Sequence, residues 1–464
     1  MNMTSGLSPL DDLATKGRHY NWTFIASLGD FLDAGMFAGT GITLLAIATL
    51  LHFNTLESGL PALVTLLGTA FGALVFGVFG DKFGRKYIYQ IDMIIYAVAA
   101  ILLSITGIFP GTTFNLIWAM VFYALIGIAV GADVPTSWSL ISEFSPKKSR
   151  GKLMSITNIM WYVGVLVELG IAIALYNTGM TLFRTIWLML GIIAIITWFL
   201  RRKLVESPRF MAIKGDVNSI KKTLELLGAK TNINEKVSYK KHTYKEIFTT
   251  FLPVTLWAWF LYLMWGIPAS TYGEFFPYIF SSLHIVSTQS VFAFEAVYFG
   301  SAIVPGLLIY AFLTDRINVG RAPLWLVSTA MSALSFYLLV YPPFLKSVPV
   351  LLTSFLLFGI GQGIGVWPIV RLISIEHYPT SIRNSGQGFI WFTMRLEAAV
   401  FGLFTPTIVG ANGIHVEYIG WIAGTFFLAA FIAVAIAVRV SPKLIKTESI
   451  SIDEISNDSA VVAP

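Results

Sequence analysis

The sequence predicts an all-α membrane protein in which 12 transmembrane helices form two pseudo-symmetric six-helix bundles. Three observations predict this class: long apolar runs, motifs that occur twice, and a one-sided distribution of basic residues. Of the 464 residues, 56% are hydrophobic and only 12% are charged, against roughly 25% charged residues in a soluble domain. The mean hydropathy is +0.74. A chain of this composition has to bury most of its surface in lipid.

The spans follow from runs of about 20 apolar residues, the length that crosses a bilayer as a helix. Pairs such as Pro110-Gly111 and Pro342-Pro343 separate the runs. The predicted spans are 22–51, 61–80, 87–108, 114–141, 152–176, 183–201, 249–281, 290–313, 322–341, 349–375, 385–409 and 417–438. We therefore expect a first bundle in 1–201, a cytoplasmic linker with short helices in 202–247, a second bundle in 248–440 and a disordered cytoplasmic tail in 441–464.

Two motifs occur twice in the same order. The pattern Glu-x-x-Pro-x-x-x-Arg runs from Glu143 to Arg150 and again, 233 residues later, from Glu376 to Arg383. A second motif comprises Asp81, Gly84 and Arg85 in the first copy and, with a two-residue insertion, Asp315, Gly320 and Arg321 in the second. Repeated halves in a membrane-spanning chain are the construction of an alternating-access transporter, with the substrate site between the halves.

The basic residues predict the orientation. Of the 31 Lys and Arg residues, Arg184 and Lys346 fall near one side of the membrane, Arg371 and Arg395 fall within spans, and all others share the opposite side. This asymmetry predicts a multi-pass protein of the cell membrane with both termini in the cytoplasm. The basic residues are spread over separate segments, which argues against a nucleic-acid partner.

The sequence contains none of the catalytic patterns that would indicate an enzyme. There is no cysteine, no His-Glu-x-x-His pattern and no Gly-rich phosphate loop, and only six histidines occur. We therefore expect neither a cofactor nor a metal site. The expected partners are a small-molecule solute, protons and the lipid bilayer.

The loop motifs resemble those of the major facilitator superfamily, and within it the sugar porter and metabolite:H+ symporter branch. Gly80-Asp81-Lys82-Phe83-Gly84-Arg85-Lys86 resembles the superfamily's general signature, and Glu143 to Gly151 resembles the branch's loop 4–5 signature. Glu206-Ser207-Pro208-Arg209 resembles the branch's Pro-Glu-Ser-Pro-Arg, with Val205 in place of the first proline. The resemblance covers all 12 spans and implies the major facilitator fold, solute transport and a monomer.

Carboxylates and arginines at the ends of neighbouring helices can pair only when those ends are close. Such pairs would hold the cytoplasmic side shut and break when it opens; the alternative is solvated charges that only set the topology. The predicted gating residues are Asp81, Gly84, Arg85, Glu143, Arg150, Glu206, Arg209, Asp315, Arg321, Glu376 and Arg383.

Ionisable residues inside spans are costly and therefore candidates for function. Asp30 and Asp33 lie three residues apart on one face of span one, where two carboxylates would share a proton. Asp133, in Gly131-Ala132-Asp133-Val134-Pro135, resembles the Gly-Gly-Asp-Tyr-Pro of phosphate:H+ symporters. We expect Asp33, Asp30 and Asp133 to carry proton coupling; the alternative is buried carboxylates that are hydrogen-bonded for packing.

Arg395 in span 11 is the main substrate candidate, since a buried guanidinium can bind a carboxylate through two hydrogen bonds. Alternatively it pairs with an acid of another helix. Arg371 is expected to be structural, Glu168 is undecided, and Glu295 is expected near the extracellular surface. The stretch Gly266 to Gly273 suggests a broken span seven. The other predicted substrate residues are Glu274, Trp265, Tyr272, Trp391 and Gln362.

The sequence thus predicts a secondary active transporter, and specifically proton-coupled symport of a small polar organic solute by alternating access. Span seven lacks the Gln pair of sugar porters, and span ten has only Trp367-Pro368 of their Pro-x-Pro-Trp. The cavity residues therefore suit an organic acid or other anion at least as well as a sugar. The alternatives are an uncoupled sugar facilitator, a phosphate:H+ symporter and a receptor that senses a solute.

Overall fold

Twelve long helices, numbered α1 to α12 in chain order, dominate the computed structural model, which describes residues 8–54, 57–228, 241–283, 287–317, 319–409 and 415–461. The first six are α1 Gly17–Leu51, α2 Leu60–Phe83, α3 Arg85–Ser104, α4 Thr112–Phe144, α5 Arg150–Leu175 and α6 Met180–Arg201. The others are α7 Leu252–Ser282, α8 Thr288–Pro305, α9 Arg321–Tyr337, α10 Val348–Ile364 with Val366–Glu376, α11 Arg383–Val409 and α12 Val416–Val440. We call α1–α6 the first half and α7–α12 the second half.

The predicted fold class is confirmed. In the described residues, 11 helices are long and apolar enough to cross a membrane, and α9, with 17 residues, is the twelfth. Helix α8 continues through a π-helical turn, Gly306–Tyr310, into Ala311–Leu313. Helix α10 is interrupted at Gly365. The predicted break in span seven is wrong, because α7 runs without interruption through Gly266 and Pro268.

Glycines let helices of both halves approach α2 closely. A Cβ on Gly72 would lie 2.4 Å from the carbonyl oxygen of Ile128 in α4. A Cβ on Gly388 of α11 would lie 2.3 Å from the carbonyl oxygen of Ala73 in α2. Small residues at such crossings replace side-chain packing with close backbone contact, the usual device of helices in lipid. The α2–α11 crossing is therefore a contact between the two halves.

Short helices lie at the end of the bundle where α1 begins, which we call the basic face. They comprise Pro208–Lys214, Val217–Leu227 and the 3-10 turn Tyr244–Phe248. The Ser207 hydroxyl accepts a hydrogen bond from the Phe210 amide, and the Asp216 carboxylate accepts one from the Ser219 amide, so both helices begin at a side-chain cap. The Lys214 ammonium donates to the carbonyl of Lys82 at 3.0 Å, which ties the first of these helices to the end of α2.

The expectation of a disordered tail is wrong for residues 441–461. This segment contains the 3-10 turn Pro442–Leu444 and the helix Ile452–Val461, whereas 462–464 fall outside the described residues. Ile445, Ile452 and Ile455 are buried against the basic face. The polar composition misled the prediction, because the polar side chains of the tail find partners in the body of the protein rather than in water.

Candidate functional site

A cavity lies where the two halves meet. Its walls come from α1 and α5 of the first half and from α7, α8, α10 and α11 of the second. Aromatic rings make up most of the lining, and polar groups are few. The lining residues are Phe37, Trp161, Tyr162, Trp265, Ala269, Ser270, Tyr298, Phe299, Gln362, Trp367 and Arg395.

Asp30 of α1 holds an arginine of the other half. Its Oδ1 lies 3.1 Å from Nη1 of Arg371 in α10 and accepts a hydrogen bond from the Trp138 indole at 3.0 Å. The Arg371 guanidinium is clamped between the rings of Trp138 and Trp367, at 3.8 and 4.0 Å from their centroids. It also donates to the Thr157 hydroxyl at 2.5 Å. This buried cluster therefore joins α1, α4 and α5 to α10.

Asp33, one turn along α1, faces a different arginine. Its Oδ2 accepts a hydrogen bond from the Trp161 indole at 3.0 Å, and its Oδ1 lies 3.7 Å from Nη2 of Arg395 in α11. That distance allows an ion pair but is too long for a hydrogen bond. The expected sharing of one proton between Asp30 and Asp33 does not fit this arrangement, because each carboxylate faces its own arginine and its own tryptophan.

Two stacked indoles form the flattest wall of the cavity. Trp265 of α7 and Trp367 of α10 lie with centroids 5.5 Å apart and an interplanar angle of 9°. The Trp265 indole donates to Oε1 of Gln362 at 2.9 Å, and Trp161 meets Trp367 edge-on at 4.9 Å. Nε2 of Gln362 has no hydrogen-bond partner among the described residues. The cavity therefore offers flat apolar surface with polar groups at its margin.

Asp133 lies away from the cavity, and its expected role in proton coupling stays a prediction. Its Oδ1 lies 2.5 Å from Nη1 of Arg201 in α6, and Asp92 of α3 lies 3.5 Å from the same nitrogen. Arg201 also donates to the carbonyl of Ala26 at 3.0 Å. All four residues belong to the first half, and Asp133 is not among the residues that line the cavity. It is a partner of Arg201 within one half rather than a group in contact with the cavity.

The other sequence candidates are placed as follows. Trp265, Gln362 and Arg395 line the cavity. Trp391 packs against Arg395, and its ring centroid lies 4.4 Å from the guanidinium carbon. Tyr272 and Glu274 belong to α7, but their side chains lie outside the described residues. Glu295 is fully buried two turns into α8, and its expected position near the extracellular surface stays a prediction.

Arg371 is the residue whose contacts the sequence analysis did not foresee. It was expected to be structural, and it contacts Asp30 of the other half and two indoles. A signal was present, because an arginine inside a span is itself a candidate for function. Its partners could not be read from the sequence, since they lie on other helices.

At the basic face, the glutamate of each Glu-x-x-Pro-x-x-x-Arg motif pairs with the arginine of the other copy, which belongs to the other half. Glu143 accepts hydrogen bonds from Arg85 of its own half at 2.9 Å and from Arg383 of the second half at 2.8 Å. The second copy repeats the arrangement: Glu376 accepts from Arg321 of its own half at 3.0 Å and from Arg150 of the first half at 2.8 Å. All of these side chains are buried. Both bridges between the halves are therefore closed in this structure.

The repeated aspartates bind helix N-termini of the opposite half. Asp81 accepts hydrogen bonds from the amide and hydroxyl of Ser385 at 2.8 and 2.7 Å, at the start of α11. Asp315 accepts from the amides of Gly151 and Lys152, both at 3.0 Å, at the start of α5. A carboxylate is stabilised there by the free N–H groups and the positive end of the helix dipole. Burial nevertheless raises the pKa of Asp315 above its ordinary value.

The structure reveals a third repeat. Glu206, after α6, accepts hydrogen bonds from the amides of Arg85 and Lys86 at 3.2 and 3.1 Å. Glu448, after α12, accepts one from the amide of Arg321 at 2.5 Å. Sequence reasoning missed Glu448, although the Glu206-Ser207 dipeptide recurs there as Glu448-Ser449. Burial raises the pKa of Glu206.

Glycines make room for these two carboxylates. A Cβ on Gly84 would lie 2.3 Å from the Glu206 carboxylate, and a Cβ on Gly320 would lie 2.1 Å from that of Glu448. Both glycines also have positive φ, +108° and +55°, a conformation that disfavours other residues. This explains physically why glycine precedes the arginine in each motif copy. We call Asp81, Arg85, Glu143, Arg150, Glu206, Asp315, Arg321, Glu376, Arg383 and Glu448 the motif network.

Arg209 extends the network to both termini. Its Nη2 lies 2.7 Å from Asp11, its Nη1 pairs with Asp453 in the tail helix, and its Nε donates to the carbonyl of Glu143 at 3.3 Å. Ser451 donates to Asp11 at 2.8 Å. The two ends of the chain therefore meet at one buried guanidinium.

Comparisons with known proteins agree with this architecture. The family model "Sugar (and other) transporter" matches residues 18–458. The chain is 27% identical over 394 residues to the minor myo-inositol transporter IolF of Bacillus subtilis, covering 84% of this chain and 85% of IolF. It is 24% identical over 446 residues to the niacin transporter NiaP of Acinetobacter baylyi, covering 92% and 96% of the two chains.

Among solved structures, the proton:xylose symporter XylE of E. coli, bound to a bromodeoxyglucose, has the same fold. The TM-score is 0.79 at 17% sequence identity, and the match covers 95% of this chain and 98% of XylE. Family and fold are those of transporters rather than enzymes. The chain is a multi-pass integral membrane protein with the major facilitator fold, and it belongs to the sugar (and other) transporter family.

Proposed function

We propose that this transporter is a proton-coupled symporter of a small, planar organic carboxylate. The observation that carries the proposal is the loose ion pair between Asp33 and Arg395, 3.7 Å apart at the edge of a cavity lined by aromatic rings. Protonation of Asp33 removes the negative charge that Arg395 faces. The guanidinium can then receive the carboxylate of a substrate, which it binds through charge-assisted hydrogen bonds.

This exchange of partners couples the two ligands. Arg395 is attracted either by an ionised Asp33 or by the substrate anion, so that each ligand raises the affinity for the other. A proton without substrate removes the negative charge that Arg395 faces, and a substrate without the proton meets the repulsion of Asp33. The proton and the substrate should therefore bind together and cross the membrane together.

The residues that line the cavity favour a substrate with a flat, apolar ring. The stacked pair Trp265 and Trp367, with Trp161 at its edge, provides ring faces, whereas Gln362 is the one amide side chain among the described lining residues. A polyol needs several convergent hydrogen-bonding groups, because each buried hydroxyl without a partner costs free energy. The relatives' names include both a polyol and niacin, so the cavity chemistry rather than the names favours an aromatic acid.

We infer that the basic face is cytoplasmic, since Lys and Arg residues concentrate there. The closed motif network then seals the cytoplasmic side, and alternating access requires it to break while the opposite side closes. Two six-helix bundles that rock about the cavity, joined by the linker 202–247, account for this motion.

The proposal is tested by uptake into proteoliposomes under an imposed pH gradient. Labelled aromatic acids, aliphatic acids, myo-inositol, xylose and phosphate are compared, each with and without a protonophore. We expect accumulation of an aromatic acid that collapses with the protonophore. Accumulation of a sugar or of phosphate instead would overturn the substrate assignment, and equilibration without accumulation would overturn the coupling.

Single substitutions test the roles proposed for Asp33 and Arg395. Asp33→Asn should abolish accumulation but retain exchange of substrate, because the proton no longer controls Arg395. Arg395→Gln should weaken substrate binding about tenfold or more, the effect of losing a charged hydrogen bond. The matched control is Glu397→Gln, which changes a half-buried acid of α11 that accepts from Trp259 at 3.2 Å and does not line the cavity. Accumulation by Asp33→Asn at the wild-type level would exclude Asp33 as the coupling residue.

The second candidate is an uncoupled sugar facilitator. It is favoured by Nε2 of Gln362, which has no hydrogen-bond partner in the described part of the chain and can donate to a substrate hydroxyl. A phosphate:H+ symporter has less support, because Asp133, the residue of that resemblance, pairs with Arg201 away from the cavity. Selective exchange of a sugar, insensitive to the protonophore, would establish the facilitator.

A further inference from the structure

Two buried glutamates outside the cavity lining face each other across the halves. Glu168 belongs to α5 and Glu295 to α8, and neither side chain is exposed. All four of their carboxylate oxygens lack a hydrogen-bond partner within the described ranges. No ion pair joins either residue to a described Lys, Arg or His, in contrast to the arginine-paired Asp30, Asp33 and Asp133.

The register of α5 against α8 places the two side chains at one level. The helices run antiparallel, because the Gln289 amide donates to the carbonyl of Ile173 at 3.4 Å, whereas a Cβ on Gly306 would lie 3.9 Å from Ile159. Between these points, a Cβ on Gly300 would meet Leu166 at 3.8 Å. The same register sets position 295 opposite positions 167–171.

Both glutamates lie on the helix faces that line the cavity. Glu168 lies two turns beyond Trp161 on α5, and Glu295 lies one turn before Phe299 on α8. The Trp161 and Phe299 rings are in contact, with centroids 5.6 Å apart. The pair therefore lies past the aromatic wall of the cavity, on the side away from the motif network.

Glu168 also reaches the helix of the coupling aspartate. A Cβ on Gly35 would lie 2.5 Å from its Oε1, and a Cβ on Gly39 would lie 3.3 Å from its Oε2. Two glycines one turn apart on α1 thus form a notch for the carboxylate, two residues from Asp33. The described titratable groups around the pair are Asp33 of α1 and Tyr96 of α3, whose hydroxyl donates to the carbonyl of Leu32 at 2.8 Å.

An ionised carboxylate is unfavourable at this place. Transfer of a charge to the membrane interior without a partner costs several kcal/mol, and two facing carboxylates raise that cost further. Binding a proton converts each carboxylate to a neutral acid and removes the cost. Because α5 and α8 belong to different halves, separation of the halves on this side would admit water, restore the charged forms and release the proton.

From this geometry we propose that Glu168 and Glu295 together form a second proton-binding site, which is occupied when the two helices are packed and empties when they separate. The proposal concerns the pair alone and stands whether or not Asp33 couples transport. No chemistry beyond the transfer of a proton between water and a carboxylate is required.

Infrared difference spectroscopy of the full chain in nanodiscs tests the site, since a protonated carboxyl has a C=O stretching band that ionisation removes. We expect a band that changes reversibly between low and high pH and that is lost or diminished in Glu168→Gln and in Glu295→Gln. Asp33→Asn should retain it, which separates this test from that of symport. Glu397→Gln is the matched control for removal of an acid from the membrane.

Three results would overturn the proposal. A pH-dependent carboxyl band of full intensity in both glutamine variants would show that the titrating groups lie elsewhere. A band from the pair that stays constant at every pH at which the protein remains folded would show permanently protonated, structural acids. Spectra in NaCl and in choline chloride separate proton from metal cation, since loss of the band only with Na+ would assign the site to sodium instead. Thermal unfolding of each variant verifies that the neutral amides fold.

Discussion

At the scale of the residue, one arrangement occurs twice along α1: an aspartate that accepts from an indole and faces an arginine of the second half. The two copies differ in tightness. Asp30 and Arg371 are 3.1 Å apart, and the guanidinium lies between two tryptophan rings, whereas Asp33 and Arg395 are 3.7 Å apart. The tight copy is suited to holding the halves together, and the loose copy, at the cavity, to exchanging its partner.

This difference predicts opposite consequences for two matched variants. Asp30→Asn leaves the fully buried Arg371 without its carboxylate, and breaking a buried ion pair from one side costs about 3–5 kcal/mol. We expect a clear fall in thermal stability of the detergent-solubilised protein. Asp33→Asn should lower the stability less, because its ion pair is looser and its arginine borders a cavity. Equal losses of stability in the two variants would contradict this division of roles.

The sequence identified each of these charges but not its partner. A buried aspartate or arginine stands out in a span whatever surrounds it, so Asp30, Asp33, Asp133 and Arg395 could be selected as candidates. Pairing depends on the rotation of each helix and on contacts between helices far apart in the chain. For that reason the pairing of Asp133 with Arg201 and of Arg371 with Asp30 could not be predicted.

At the scale of the element, the crossing of α2 and α11 controls how closely the halves approach near the basic face. Gly388 has no space for a side chain there, since its Cβ would lie 2.3 Å from the carbonyl oxygen of Ala73. Gly388→Leu should therefore force the helices apart and favour the state that is open at the basic face. Gly170→Leu is the control, because no atom lies within 4 Å of that Cβ position.

The absence of cysteine from the chain makes this measurable, since pairs of introduced cysteines can be spin-labelled without a background. Labels on the two halves at the basic face should be farther apart in Gly388→Leu and at the wild-type distance in Gly170→Leu. An unchanged distance in Gly388→Leu would show that the crossing adapts by sliding along the helix axes rather than by separating.

The tail helix predicts a pH dependence. His377, just after α10, lies 2.7 Å from the Ser459 hydroxyl, and burial lowers its pKa from 6.5 to about 4. When the tail undocks, the exposed ring regains its ordinary pKa and binds a proton more tightly. Docking of the tail should therefore weaken as pH falls from about 6.5 to about 4 and change little above that range.

Hydrogen exchange of residues 452–461, corrected for the intrinsic rate, follows this transition. The amides should lose protection between pH 7 and pH 5 in the wild type. His377→Gln has a neutral amide in place of the ring, and we expect its protection to depend much less on pH. If both proteins lose protection in parallel, other groups at the interface, such as Asp453 or Glu448, control the docking.

The sequence predicted the helices better than the tail for a physical reason. Span positions follow from local hydropathy, and the helix bounds agree with the predicted spans to within a few residues at most ends. The tail carries little apolar surface and folds through its contacts with the body of the protein, among them Asp453 with Arg209 and Thr447 with Glu376. Such contacts leave no pattern within the segment itself.

At the scale of the whole molecule, the motif network consists of two copies related by the repeat. Each copy has a glutamate between an arginine of its own half and one of the other half, an aspartate at a helix N-terminus of the opposite half, and a glutamate at the start of α3 or α9. The repeats were visible in the sequence, but the exchange of partners between halves was not. Because both copies lie at one face, they act together on one equilibrium, between the closed and open states of that face.

This symmetry predicts that the two copies contribute equally and additively. Glu143→Gln and Glu376→Gln each remove the carboxylate that joins two arginines across the halves, and loss of such charged hydrogen bonds is worth about 1.5–3 kcal/mol. Each variant should raise the ratio of open to closed molecules by roughly tenfold or more, and the double variant by the product of the two factors. Distances between spin labels at the basic face give these ratios directly. A double variant that opens no more than one single variant would show that breaking either copy already releases the other, so that the network is one cooperative unit rather than two independent bridges.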